Sequence, residues 1–157
     1  MVDFAGFSHL YDYHNQSNKT LLSFITENPQ PRALNIFAHI MAADRMWHSR
    51  LELGVDAPEP KLWPTGKTPE MLAGEMETMA SGWKGYLSQS DVNHSRVINY
   101  LNIKGEQTSK EEYEILTTCL FHGAYHRGQI AMLTSLRSAE GVQAPATDYI
   151  FFPPKKD

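Results

Sequence analysis

The sequence predicts an all-α fold: a four-helix bundle with long connections and a short β-hairpin between the third and fourth helices. Three observations carry this. Apolar residues recur at helical spacing in four long segments. Prolines and capping residues stand between those segments rather than inside them. At 157 residues, with no internal repeat and no low-complexity stretch, residues 1–157 fit a single domain large enough to bury a core.

The first helix is expected from Phe4 to Glu27, with Leu10, Tyr13, Leu21, Phe24 and Ile25 as apolar positions. Asn28-Pro29-Gln30-Pro31 ends it, because a residue before proline is pushed out of the α region. Pro31 suits the first turn of a second helix that runs to Leu53, with Gly54 in a left-handed cap. Its apolar face is Ile36, Phe37, Ile40, Ala43, Trp47 and Leu51. After a proline-containing loop, Thr68-Pro69-Glu70 supplies an N-cap, a proline at N1 and an acid near the positive helix end, opening a third helix to about Gln89.

From Asn93 to Thr108 the pattern turns β-like, with Val97, Ile98, Tyr100, Leu101 and Ile103 before Lys104-Gly105. Ser109-Lys-Glu-Glu112 reads as a capping box that starts the fourth helix. Ile115, Cys119, Ile130, Leu133 and Leu136 form one side of that helix, which reaches Ala139 and stops at Gly141. The tail, Ala144 to Asp157, is expected to be extended, with Tyr149-Ile150-Phe151-Phe152 packed back on the bundle.

Composition excludes several classes. The net charge is −4 and the basic residues are scattered, which argues against a nucleic-acid partner. No apolar run approaches the ~18 residues of a membrane span. The only cysteine, Cys119, precludes an intramolecular disulfide, and Met1-Val-Asp-Phe does not begin a signal peptide. These features together set the expectation of a soluble, cytoplasmic protein.

The chemistry lies in His122-Gly-Ala-Tyr-His126-Arg127-Gly128-Gln129. Two histidines at i, i+4 point the same way, about 5–6 Å apart at Cβ, which suits two ligands on one ion. A wheel at ~100° per residue places both within the apolar stripe. Spacing alone leaves two readings open: metal ligands, or core histidines satisfied by hydrogen bonds. On the second helix, His39 flanks the apolar arc and is the better third ligand. His48 shares the polar side with Asp44, Arg45 and Glu52 and is read as solvated. His9, His14 and His94 are read as surface residues. Cys119 shares the face of His122 and His126 and could join them, but an ordinary small buried residue is the preferred reading.

The motif excludes a zincin and disfavours a ferritin-like di-iron site. Gly123 stands where a zincin's H-E-x-x-H carries its general base. Neither His122 nor His126 has a glutamate three residues before it, as a ferritin-like di-iron site requires.

The second-helix pattern His39-x7-Trp47-x2-Arg50-Leu51-x2-Gly54, the last-helix run His122-x3-His126-Arg127-Gly128-Gln129 and the element Asp148-Tyr149-Ile150 resemble the DinB/YfiT-like family, unrelated to the DNA polymerase that shares the first name. The first helix matches more loosely. Tyr13 and Asn18 have the usual spacing, but Gln16 stands where an aromatic is frequent. The resemblance implies a four-helix bundle, frequently a homodimer, and one divalent metal held by His39, His122 and His126; imidazole ligands suit Zn, Ni, Fe or Cu, of which Zn, Ni or Fe is expected. Gln129, one turn beyond His126, is placed to support a ligand by hydrogen bonding. Arg127 points ~100° away from His126 and is expected to pair with an acid or anchor the tail. Close helix approach is the expected reason for Gly123 and Gly128.

Three imidazoles leave open coordination positions, which fits a catalytic rather than a structural site. The resemblance therefore implies an enzyme that acts on a small molecule, either a transferase using a low-molecular-weight thiol or a hydrolase. The alternative is a non-catalytic metal-binding or stress-response dimer.

Overall fold

In the computed structural model, which describes residues 6–90, 94–137 and 141–153, four helices pack around a split core. Phe4, Asn93, Ala139 and Asp157, used above as bounds, lie outside the described residues, as does the side chain of Leu136.

Helix α1 spans Gly6–Glu27 and α2 spans Pro31–Leu53. Proline at N1 starts α2 as expected, and Gln30 caps it by accepting from the Arg32 and Ala33 amides at 2.7 and 3.3 Å. Gly54 has the expected positive φ of 59°, but its ψ of −124° lies outside the left-handed helical region. Close approach of the hairpin also requires glycine here: a Cβ at Gly54 would stand 2.8 Å from the Asn99 carbonyl oxygen. Helix α3, Pro69–Gln89, begins with Pro69 at N1 and Thr68 as N-cap, its side chain accepting from the Met71 amide.

The β-like stretch is a paired hairpin. Strand β1, Val97–Leu101, runs antiparallel to β2, Gln107–Glu111, with Asn99 opposite Ser109. Helix α4 follows directly as Glu112–Arg137. The expected capping box is therefore displaced. Ser109 belongs to β2 and donates to Asn99 Oδ1, while Glu114 reaches back to accept from the Glu111 amide at 2.9 Å. A capping box needs an N-cap free of other pairing, and the strand claims Ser109 first.

Helix α2 packs most extensively on α4 and also against α3, while α1 lies against α3 and α4. One apolar cluster gathers Leu21, Ile25, Phe37, Ile40, Leu72 and Ile130. A second gathers Tyr11, Leu51, Trp83, Ile98, Ile115 and Leu116. Each such side chain is worth about 1.5–3 kcal/mol when fully buried. Between the clusters lies a polar layer of His14 and Asn18 from α1, Asp44 from α2, and Arg127 from α4, all buried. The tail packs back, with Tyr13 donating to the Thr147 carbonyl at 2.6 Å and the rings of Tyr149 and Phe152 against His9 and Tyr13. Ile150 and Phe151 nevertheless stay exposed. No described helix is long and apolar enough to cross a membrane.

Candidate metal centre

His122 and His126 project from one face of α4 toward α2, and His39 meets them across the α2–α4 contact. His122 Nε2 lies 3.1 Å from His39 Nε2 and 3.1 Å from His126 Nε2. One ligand atom from each of the three falls within 4.8 Å of the others. A tetrahedral ion with bonds of 2.0–2.1 Å separates its ligands by about 3.3–3.4 Å, so the spacing fits a common ion.

The outer nitrogens explain why the inner ones converge. His39 Nδ1 lies 2.7 Å from the Leu62 carbonyl, which can only accept, so the ring's proton is on Nδ1 and the Nε2 lone pair faces inward. His126 Nδ1 donates to Gln129 Oε1 at 2.7 Å, which assigns the same tautomer. His122 has one proton to place on either nitrogen, so it cannot satisfy both inward lone pairs. Its own Nδ1 is buried with no hydrogen-bond partner among the described residues. A shared cation would satisfy all three inward lone pairs, and a set of neutral imidazoles suits a transition-metal ion.

Burial pushes the His122 pKa down to about 4, helped by His126 and His39. Burial also lowers His39, against the Leu62 hydrogen bond. Both changes favour the neutral imidazole a metal requires. The loop after α2 completes the site. Trp63 stacks on His39 with centroids 3.8 Å apart and planes 3° from parallel, yet remains 56 % exposed. Trp63 thus covers the His39 ring.

Gln129 stands where the sequence placed it, on His126. Cys119 does not join the histidines. Its thiol is buried and donates to Asp44 Oδ1 at 3.1 Å. Arg127 is buried too, and among the described residues it pairs directly with no acid: its Nη1 donates to His14 Nδ1 and Asn18 Oδ1, both at 3.0 Å, and its guanidinium lies 5.5 Å from the Tyr13 ring centroid. Through Tyr13 it reaches the tail.

The readings of four residues are corrected. His14 is fully buried rather than on the surface. Arginine can only donate, so His14 Nδ1 must accept and its Nε2–H donates to Asp44 Oδ2 at 2.9 Å. His94 is also buried, 3.5 Å from Glu112. His48 is half-buried, with Nε2 sealed and its ring edge-on to Trp83. Asp44 was read onto the polar side of α2 and proves buried. Helix α2 packs against both α3 and α4, so its solvated arc is narrower than the wheel suggested. A carboxylate one turn after Ile40 and seven residues before Leu51, both apolar, was the available signal.

Four helices, a hairpin and three convergent imidazoles define a bundle able to hold a metal ion. The family model described as DinB family matches residues 1–156, and the chain belongs to that family. No curated protein and no solved structure matches it.

Proposed function

We propose that the chain is a metal-dependent enzyme of the DinB family that acts on a small molecule, in the manner of a thiol S-transferase or a hydrolase. The observation that carries this reading is the convergence of three Nε2 atoms whose outer nitrogens, on His39 and His126, are committed to Leu62 and Gln129. His39, His122 and His126 would hold a divalent ion, which would supply a Lewis acid for activating water or a thiol. The protein residues position and shield. Leu62 and Gln129 fix the ring orientations, and the stacked Trp63 limits how far His39 can swing. The exposed rings of Trp63 and Tyr125, the latter 5.1 Å from His126, offer an apolar contact for a substrate body.

Elemental analysis of untagged protein tests the site. Near one-to-one metal in the parent, lost in His39→Ala and His122→Ala, supports it; no metal after reconstitution sinks it. Metal-dependent consumption of a low-molecular-weight thiol with an electrophile then selects the transferase branch, and turnover with water alone selects the hydrolase.

A second reading, a dimer in which the metal only stabilises, draws on an exposed stripe along α4. Phe121, Tyr125 and Met132 lie on one side with Gly128, beside which a Cβ would meet nothing. Sedimentation gives the assembly state. Metal removal separates the roles: a large fall in melting temperature favours the structural reading, and a folded apo-protein favours catalysis.

A further inference from the structure

Arg50 lies eleven residues after His39, ~16 Å further along α2 and on nearly the same side. It is 4 % exposed. Its guanidinium sits between two rings, 5.0 Å from the Trp47 centroid and 4.8 Å from that of Tyr100. Among the described residues it makes no side-chain hydrogen bond and no ion pair, and burial lowers its pKa. A buried cation ordinarily carries an acid partner, since aromatic faces repay only part of its desolvation.

Its nitrogens are nonetheless not sealed, unlike Nε and Nη2 of Arg127. Arg50 lines a cavity of about 420 Å³ between the loop after α2 and the turn of the hairpin, with Pro58, Pro60, Leu62, Leu101 and Ile103 as apolar walls. Two other charged groups line it, Lys104 and Glu59. Both are exposed and can turn to solvent; Arg50 cannot. Two cations against one carboxylate match a singly charged anion better than a dianion.

We propose that this cavity binds the carboxylate of a small organic acid, taken by the Arg50 fork with the apolar body against Leu62 and Ile103. The site is separate from the three histidines and does not rest on their holding metal. It shares one wall with them, since the Leu62 carbonyl accepts from His39.

The test is calorimetric titration of the purified protein with benzoate, with inorganic phosphate and chloride at matched ionic strength. Saturable benzoate binding is expected, weakened about tenfold or more in Arg50→Met, as for loss of a charged hydrogen-bonded pair. Lys104→Glu, a surface change that should fold normally, weakens it in the same direction through the field alone. His122→Ala should bind benzoate as the parent does, which separates this cavity from carboxylate capture by a metal. Absence of saturation overturns the proposal, and so does binding lost with His122 but indifferent to Lys104→Glu. Tighter binding of phosphate than of benzoate overturns the carboxylate assignment.

Discussion

The ring of His14 fills the space that a side chain at Gly123 would need. A Cβ there would lie 2.3 Å from Cε1 and 2.8 Å from Nδ1 of that ring. His14 cannot retreat without losing Asp44 on one side and Arg127 on the other. Alanine at 123 should therefore lower stability by roughly 2 kcal/mol, as overpacking does, despite gaining about 1 kcal/mol of helix propensity. Gly128, five residues on, has open space around it, so Gly128→Ala should raise monomer stability by up to about 1 kcal/mol. Denaturant titration of both variants checks the pair, and a reversed order would overturn the packing account.

Asp44 accepts from both His14 and Cys119, and among the described residues it is the acid of the polar layer. Removing it leaves buried donors without an acceptor and the Arg127 charge without a counter-charge within the layer. Asp44→Ala should cost about 3 kcal/mol or more, and Asp44→Asn, which keeps an acceptor, distinctly less. The Cys119 thiol reports on the same layer. Burial pushes its pKa well up, and the Asp44 charge adds to that. In the native protein it should resist alkylation at mildly alkaline pH, reacting only as fast as the chain opens. Prompt modification of folded protein would contradict this.

Where a residue's role follows from helical spacing, the sequence was legible. The second and third helices, the shared face of His122 and His126, and the reach of Gln129 to His126 follow from position along one element, whereas the full set with His39 as third member came with the family resemblance. The rest depends on neighbours that spacing does not specify. The burial of His14 and Asp44 comes from α1 and α2 meeting α4 at one height. Ser109 was drawn into the strand by Asn99 opposite it, displacing the cap. The pairing of His39 with Leu62 and Trp63 depends on how an irregular loop folds over α2, for which the sequence has no periodic signal.

Gln129 makes a single hydrogen bond in the site, to His126 Nδ1 at 2.7 Å. Gln129→Leu keeps the side-chain volume but frees the ring to rotate and change tautomer. Outer hydrogen bonds of this kind are commonly worth 10–100-fold in metal affinity. The variant should therefore bind zinc about tenfold or more weakly while its melting temperature without metal stays near the parent's. Competition with a chromogenic chelator measures the affinity. Unchanged affinity would mean that the backbone, not Gln129, orients His126.

Glu75 ties three segments together. Arg45 on α2 donates to it at 2.7 Å, and Lys67 in the loop before α3 pairs with its other oxygen. Burial alone would raise its pKa, but the two cations outweigh that and hold it below the ordinary carboxylate value. A carboxyl group with a lower pKa folded than unfolded binds fewer protons in the native state. Its stabilisation is thus full above the unfolded value, ~4.3, and is lost as pH falls through the folded one. Arg45 is half in solvent, so the network is worth only about 1 kcal/mol and is screened by salt. Glu75→Gln should therefore be less stable than the parent at pH 7 by about that amount. The difference should shrink below about pH 4 and vanish once the parent's carboxylate is protonated. Urea midpoints of both proteins across that range measure it. A gap that stays constant into acid would assign Glu75 a packing role instead of an electrostatic one.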